Sequence, residues 1–544
     1  MSTPLRVRWL GRVPYAEGDV LQRALHGRCD DDYLLLLEHE PVYTMGSRAD
    51  PSHVLTPPPA VGAELVRCDR GGDVTYHGPG QLVGYPIITL PGWAAGLRDV
   101  VGYVRRLESV LIAALADLGV RAERRDRLTG VWVGDDKIAA IGVRVARGRT
   151  RHGFALNIAP DLAMFSHIVP CGIADKGVTS LARLLGRAPA LDEVLDRVAV
   201  RFASEFRYAT VDRQAVAGPA RAAAAVAGPT GSGGRRLVAR LAAVDVTPSA
   251  ALEDAPRPSW MRVRARLGPE FRSVQRLMRT LDLHTVCEEA GCPNIYECWA
   301  ERTATMMILG DRCTRACGFC LVRTERPARL DVGEPARVAD AVAVLGLAHV
   351  VITSVARDDQ PDGGAAIFAA TVRAIRARTP TTQIELLIPD CKGAPEALTA
   401  IFDERPDVLN HNLETVARLQ RALRPNAGYS RSLGVLARAK DAGLTTKSGL
   451  ILGMGEDVGE VHGAIADLRH VGVDILTLGQ YLRPSPQHAP VVRWWTPDEF
   501  EDIGRYARDL GFAHVESGPL VRSSYHARRA VDAATTPVPR SVAV

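Results

Sequence analysis

The chain has 544 residues, too many for one compact core, and its 47% apolar and 24% charged residues are the balance of folded globular domains rather than of a disordered or collagen-like chain. Its 67 basic and 62 acidic residues leave a formal net charge of +5, spread without a long basic block, which argues against nucleic acid as the main partner. No apolar run has the length to cross a bilayer and the start MSTPLRVRWL lacks a signal peptide's apolar stretch and cleavage site, so the expected protein is cytoplasmic, with no membrane partner.

In residues 1–214 the runs YLLLLEHEPVYTM, QLVGYPIITL, GVWVG and KIAAIGVRVA have the make-up of short strands, while VVGYVRRLESVLIAALADLG and LDEVLDRVAVRFASEF carry helical apolar spacing. An α+β domain is expected. Between Arg70 and Ile87, RGGDVTYHGPGQLVGYPI sets glycines, a proline and a histidine around a turn before an apolar strand, a loop whose backbone can crowd a ligand. Its glycines do not stand between a strand and a helix start at dinucleotide-loop spacing.

Lysine stands only at 137, 176, 392, 440 and 447, in a chain otherwise charged by arginine. Lysine cycles between charged and neutral forms where arginine does not, which draws attention to Lys137 in DDKIAAIGVR. Cys171 lies in FSHIVPCGIADKG between proline and glycine, as if on a tight exposed turn, and a nearby ammonium favours a nucleophilic thiolate. A lone cysteine is otherwise a small packing residue, the reading given to Cys29 and Cys68, while Cys391, further on, is unassigned.

These stretches resemble the octanoyltransferase of lipoate biosynthesis over most of 1–210, with Arg70–Ile87 a particularly close match. The resemblance implies the catalytic fold of the biotin and lipoate ligases. It makes Cys171 the acyl-thioester nucleophile and Lys137 its activator. It lines the acyl pocket with Arg70, Gly71, Gly72, Asp73, Val74, Thr75, Tyr76 and His77, with Ala140, Ile141 and Gly142, and with Gly153, Phe154 and Ala155. His77 would position the incoming amine.

From 215 the sequence loses aromatic residues and periodicity in AVAGPARAAAAVAGPTGSGG, and EDAPRPSW resumes the proline-rich character after a short helical stretch, RRLVARLAAVDVT. Residues 215–258 therefore read as a flexible linker that raises the local concentration of one half near the other.

From 259 to 544 short apolar runs (MMILGD, HVVITSV, QIELLIPD, VLNHNL, TTKSGLILGM, DILTLGQYL, HVESGPL) alternate with helical stretches such as VADAVAVLGL and AIFAATVRAIRAR. Repeated β then α predicts a parallel sheet or a full or partial (β/α) barrel, with the reactive groups at strand C-terminal ends. Thr353 and Ser354, Asn412 and Glu414, and Lys447 and Ser448 are the expected contributors.

Six of the ten cysteines crowd between 287 and 320, which in a cytosolic chain points to metal or redox chemistry. Cys313, Cys317 and Cys320, spaced C-x3-C-x2-C, can hold three corners of a cubane iron–sulfur cluster and leave one iron open. Cys287, Cys292 and Cys298 form a second incomplete triplet. The alternative is zinc, with His284 or His526 completing a closed tetrahedral shell.

The first triplet resembles the radical S-adenosylmethionine signature. Both together, as CEEAGCPNIYECW and GDRCTRACGFC, resemble lipoyl synthase, as do RPSWMRVRA, TSVARDDQPDGGA, DVLNHNLETV, TKSGLILGMGE, DILTLGQYLRPS and VRSSYHA. The resemblance implies two 4Fe–4S clusters and S-adenosylmethionine, with sulfur inserted at carbons 6 and 8 of a protein-bound octanoyl chain. The open iron of the first cluster would bind the cofactor and the second would donate sulfur. In this family the second cluster takes a serine of Arg522, Ser523, Ser524 and Tyr525, and Ser524 is the expected ligand. Asn412, Glu414, Gly449, Ile451 and Gly453 would contact the cofactor, and Arg357 with Asp358 would either line the substrate mouth or form an ordinary loop salt bridge. Tyr296, where a glycine is usual, and Ala356, where a polar residue is common, depart from the pattern.

The implied partners are octanoyl-acyl carrier protein, the lipoyl domains of 2-oxoacid dehydrogenases and the glycine cleavage H protein, and a reductant such as flavodoxin or ferredoxin. Two rival readings are an ATP-dependent ligase fused to a tRNA methylthiotransferase, disfavoured by the Cys171 and Lys137 pair and by the lack of a basic terminal domain, and a fusion in which one half is a degenerate docking module.

Overall fold

The computed structural model describes residues 4–93, 99–173, 175–217, 233–246, 252, 256–262, 268–289, 292, 294–300 and 305–524. Two compact units emerge, Met1–Val216 and Ala217–Val544.

Among the described residues the first unit contains twelve strands: β1 Leu5–Val13, β2 Tyr33–His39, β3 Val42–Met45, β4 Glu64–Arg67, β5 Val74–His77, β6 Gln81–Ile87, β7 Glu123–Arg125, β8 Leu128–Val133, β9 Asp136–Ala146, β10 Arg149–Asn157, β11 Gly177–Val178 and β12 Val211–Ala215. The main sheet runs β12-β1-β2-β6-β10-β9-β8-β7, with β11 beside β9. Period-two alternation gives it two faces. Leu34, Leu36, Phe154 and Leu156 point into the principal core against helices Val100–Asp117 and Leu191–Phe206. The second helix buries Val194, Leu195, Val198 and Phe202, a one-sided stripe that fits a sheet. A small sheet, β4-β3-β5, encloses a satellite core of Tyr43, Met45, Val74, Tyr76, Phe165 and Ile168.

The second unit is built on β13 His284–Thr285, β14 Thr305–Ile308, β15 Arg312–Cys313, β16 Arg323–Thr324, β17 His349–Ser354, β18 Gln383–Leu387, β19 Val408–Asn410, β20 Thr446–Leu452, β21 Ile475–Gln480 and β22 His514–Ser517. Eight of these form one sheet in the order β13-β14-β17-β18-β19-β20-β21-β22. From β14 to β22 all neighbours are parallel. Helices such as Glu334–Leu345, Ala365–Arg378 and Val458–His470 make the crossovers, as parallel pairing requires. This is a partial (β/α) barrel, open along the path described.

The expected linker is not uniform. Gly233–Ala242 is a helix of the second unit, with Leu237 and Leu241 buried. Arg240 Nε donates to the Ala422 carbonyl at 2.9 Å, and Arg418 Nη1 donates to the Val244 carbonyl at 2.5 Å. The short helical stretch read in RRLVARLAAVDVT is thus present, and its Leu237 and Leu241 find their partner only in the folded barrel.

Candidate active sites

In the first unit a cavity of about 430 Å³ brings together Arg70, Gly71, Gly72, Asp73, Thr75, His77, Lys137, Ala140, Ile141, Gly142, Gly153, Phe154, Ala155 and Cys171. The loop at Arg70 reaches β9 because both backbones are bare: Gly71 N donates to the Val143 carbonyl at 2.9 Å, and a Cβ on Gly142 would stand 2.8 Å from the Gly71 carbonyl oxygen. Two expected residues are absent from the lining. Val74 and Tyr76 lie on the opposite face of β5 and belong to the satellite core, the consequence of a strand's alternation. Arg70 lines the cavity, yet its guanidinium is tied to Thr44, donating to the carbonyl at 2.6 Å and to Oγ1 at 2.8 Å. It braces the loop.

Cys171 sits at φ +57° inside the turn Pro170–Gly172, a left-handed conformation uncommon away from glycine and frequent at functional sites. Beside that turn, His53 Nδ1 and Asp73 Oδ2 pair at 2.5 Å. Lys137 is 8% exposed and its ammonium stands 4.7 Å from the centre of the Trp132 ring, a cation–π contact.

Burial pushes His77 down to about 3, with His39, Arg70 and His152 acting the same way, and burial pushes His39 down to about 4. Both rings are neutral at physiological pH. Their surroundings are polar and paired. His39 Nε2 meets the Tyr85 hydroxyl at 2.7 Å, and His152 Nε2 meets Asp69 Oδ1 at 2.7 Å. Tyr85 and His152 also line the cavity. The motif reading missed both, together with Trp132. The strand alternation that carries Tyr85 and the left-handed φ of +57° at His152 are signals of placement that spacing does not reveal.

In the second unit a cavity of about 590 Å³ is lined by Cys292, Cys313, Cys317, Cys320, Thr353, Ser354, Asn412, Glu414, Gly449, Ile451 and Ser524, with Arg315, Arg424 and Arg522. The two cysteine segments thus meet at one cavity, Cys292 for the upstream triplet. Cys287 and Cys298 fall in helices Val286–Glu289 and Ile295–Ala300, and their side chains lie outside the described residues, as do Tyr525 and His526. Asn294 Nδ2 donates to the Leu520 carbonyl at 2.8 Å, tying the segment after Cys292 to the strand of chain that carries Ser524. Tyr296 packs against Phe271, ring centres 5.7 Å apart, a packing role for the position where glycine is usual.

Cys313 Sγ accepts from Ala356 N at 3.3 Å and Arg315 N at 3.4 Å. Arg315 in turn grips Asp358 at 2.7 Å and Asp390 at 2.6 Å. Asp358 therefore holds the cysteine loop rather than a substrate mouth, and Arg357 is buried on Asp359 and on the Leu309 and Ala328 carbonyls. Burial raises Cys317 and pushes Cys320 up to about 12, each neighbouring thiolate adding to the effect.

The side chains fit the group that the spacing suggests. On this short loop burial raises the thiols of Cys317 and Cys320 and favours their protonated form until a cation compensates them, as iron does. Among the described residues no three His, Cys, Asp or Glu side chains close into a single-ion site, and a cubane takes one sulfur at each of three separate corners. Asn412 Oδ1 and Ser354 Oγ are buried with no hydrogen-bond partner among the described residues, open to a ligand's donors. Glu414, held at φ +70°, is raised by burial against the pull of Arg424.

Two expectations fail here. Gly453 does not line the cavity: at φ +112° it turns its N–H to the Glu456 carboxylate, which also accepts from Trp495 Nε1 at 3.0 Å. Lys447 and Ser448 stand at the start of β20 rather than its C-terminal end. Lys447 is fully buried and bonds both oxygens of Glu385 at 3.0 Å.

The parallel sheet with its three-cysteine loop defines a radical SAM enzyme, and residues 307–468 match the model of the radical SAM superfamily. Residues 249–292 match the N-terminal domain of lipoyl synthase of that family, which carries the second half back into the span expected to be linker. The chain is 57% identical over 273 residues to the lipoyl synthases of Mycobacterium avium and Mycobacterium tuberculosis; the match takes in 50% of this chain and 89% and 88% of those proteins. Through its C-terminal half the chain belongs to the lipoyl synthase family, whose chemistry uses iron–sulfur clusters and S-adenosylmethionine. Residues 14–203 match the lipoyl protein ligase A/B catalytic domain. A solved lipoate protein ligase described as putative, from T. acidophilum, aligns with 41% of this chain and 90% of its own at 17% identity and a TM-score of 0.33. Both halves point to lipoate biosynthesis. No helix among the described residues is long and apolar enough to cross a membrane.

Proposed function

We propose that the chain performs two consecutive steps of protein lipoylation in the cytoplasm. The first half transfers octanoyl from acyl carrier protein to a lysine of a lipoyl domain, of a 2-oxoacid dehydrogenase or of the glycine cleavage H protein. The second inserts sulfur at carbons 6 and 8 of that chain, drawing electrons from a flavodoxin or ferredoxin. The observation that carries the reading is Cys171 and Lys137 on one cavity in a chain whose other half belongs to the lipoyl synthase family.

In the first step the Cys171 thiolate attacks the thioester carbonyl of the carrier. The carbon–sulfur bond to the carrier breaks, and the proton that left Cys171 through Lys137 returns to the departing thiol. The Trp132 ring holds the lysine head over the cavity while the apolar lining of Ile141, Val143 and Phe154 takes the alkyl chain. The amine of the lipoyl domain then displaces Cys171.

In the second half Cys313, Cys317 and Cys320 would hold one cluster, and Cys287, Cys292, Cys298 and Ser524 the other. With S-adenosylmethionine bound, these groups supply hydrogen removal from unactivated carbon and the sulfur that replaces it. The residues of this chain do the rest. Arg315, locked on Asp358 and Asp390, fixes the cysteine loop; Ala356 N and Arg315 N hydrogen-bond the Cys313 sulfur. Asn412 Oδ1 and Ser354 Oγ offer unmet oxygens to the cofactor's ammonium and hydroxyls, beside the buried Glu414 carboxyl.

The test is to incubate anaerobically reconstituted protein with octanoyl-acyl carrier protein, an unmodified lipoyl domain, S-adenosylmethionine and a reductant, and to weigh the lipoyl domain. The expected product carries octanoyl and two sulfurs, and Cys171→Ala gives no adduct. An adduct that never gains sulfur despite intact clusters refutes the second step. One that forms only with ATP and a free acid makes the first half a ligase.

A further inference from the structure

Behind His77 runs an ordered chain of side chains. His77 Nδ1 lies 2.7 Å from Gln81 Oε1. Gln81 Nε2 donates to the Tyr76 carbonyl at 3.2 Å and to Asn157 Oδ1 at 2.9 Å. Asn157 Nδ2 donates to the Thr179 carbonyl at 3.0 Å. A backbone carbonyl only accepts, so both amides have their NH₂ ends pinned, and flipping either would set oxygen against oxygen. The polarity runs one way. Gln81 presents oxygen to His77, which therefore carries its proton on Nδ1 and leaves Nε2 bare.

His77, Gln81 and Asn157 are 7%, 2% and 4% exposed, so water does not compete for these bonds. Of the three, His77 alone lines the cavity shared with Cys171 and Lys137. With Nδ1 turned to Gln81, Nε2 is the nitrogen left for that cavity.

We infer that Gln81 and Asn157 are positioning residues that lock His77 as the Nδ1–H tautomer, so that Nε2 accepts a hydrogen bond from the lysine amine attacking the Cys171 thioester. This rests on the transferase reading of the first half. The nitrogen bonds the acyl carbon as the carbon–sulfur bond to Cys171 breaks. One amine proton leaves to His77 Nε2 and passes on through Lys137, left neutral by the first step, to the Cys171 sulfur, so the proton count balances, His77 returns to its Nδ1–H form and no oxidant or reductant takes part. Burial and the nearby His39, Arg70 and His152 keep the ring neutral, which leaves its lone pair available at neutral pH.

The experiment has two readings, both on the full chain. In the first, ¹⁵N-histidine NMR of the wild type, assigned with His77→Gln, reports the tautomer: Nδ1–H is expected, and Nε2–H overturns the relay. In the second, single-turnover transfer from octanoyl-Cys171 to a lipoyl domain is followed against pH. Gln81→Leu lowers transfer relative to acylation by about ten- to a hundredfold. Gln81→Glu still accepts from Nδ1 and recovers transfer, but its carboxylate lets His77 take a second proton and adds an acid limb near neutrality. Equal slowing by both variants with the wild-type pH profile overturns the relay. If the wild type forms no thioester on Cys171, the transferase reading falls and the role at the amine with it; a thioester that forms and transfers with Nε2–H on His77 sinks the relay alone.

Discussion

Around the N-terminal cavity the polar side chains are already paired from behind: Arg70 on Thr44, His77 on Gln81, His152 on Asp69, and Lys137 on the Trp132 ring. Around the C-terminal cavity pairing is incomplete: Arg315 is held on Asp358 and Asp390, but two oxygens are left open. Asn412 Oδ1 and Ser354 Oγ lack partners among the described residues, and the thiols of Cys317 and Cys320 are raised by burial. The first arrangement is pre-organised to act with the chain's own groups. The second has a donor set that asks for a cation and a polar ligand from outside. On the proposed function one chain carries a site that acts with its own groups and one that needs a cofactor, and they should fail independently.

The largest test of that contrast is reciprocal. Cys317→Ala should abolish sulfur insertion and lower iron content while octanoyl transfer continues, and Cys171→Ala should abolish transfer while a lipoyl domain already carrying octanoyl still gains sulfur. Iron analysis and intact-protein mass spectrometry read both. A Cys317→Ala protein that loses transfer too would mean the sites are coupled.

Stability should separate the units next. Lys447 and Glu385 form a fully buried ion pair; burial raises Glu385, but Lys447, His349 and Asn410 outweigh it and hold the carboxyl below its usual range. Lys447→Met leaves that charge stranded, at a cost of about 3–5 kcal/mol in the denaturant transition of the C-terminal unit. Adding Glu385→Leu should recover most of it.

Acid should act more on the N-terminal unit. His39 and His77 are buried neutral, pushed down to about 4 and about 3 by burial. Because the unfolded chain takes up protons near 6.5 and the folded one does not, stability is full above that value and falls as pH drops towards 4, by about 1.4 kcal/mol per pH unit for each ring. Denaturation of the N-terminal unit between pH 7 and 4.5 checks this, and His77→Asn should make the loss shallower. In the second unit His411 behaves the same way, pushed down to about 4, so the slope there should be smaller.

The smallest expected effect concerns Lys137. Trp132→Leu removes the ring under its ammonium and should slow transfer by about three- to tenfold, the size of a loss of about 1 kcal/mol. Trp132→Phe should keep most of the rate, since a ring face remains. Equal rates for Leu and Phe would show that the ring only fills space.

The cysteine loop was readable because C-x3-C-x2-C is local chemistry on one loop, and Cys313, Cys317 and Cys320 do line a single cavity with Asn412 and Glu414. The β then α alternation likewise led to a parallel sheet, because each apolar run and each helical stripe is set by neighbours three or four residues away. Other residues were not readable. Val74 and Tyr76 sit inside a matching motif, yet strand alternation turns them to the satellite core. Asp358 looked like a site residue and is the anchor of Arg315, and Lys447, expected at a strand's reactive end, lies at its beginning.

What the amino-acid order determines by itself is therefore the chemistry available: which thiols, which lysine, which strands and helices, and two halves of different composition. These follow from short-range sterics, spacing and side-chain pKa. Which groups face which cavity, and in what protonation state, was decided only by tertiary structure. His77 is neutral because burial and its neighbours hold it down, its Nδ1 is turned to Gln81, itself oriented by Asn157 and the Thr179 carbonyl, and Leu237 becomes core because the barrel offers it a surface. Burial and hydrogen-bond polarity depend on contacts between residues far apart in the chain, which no local pattern encodes.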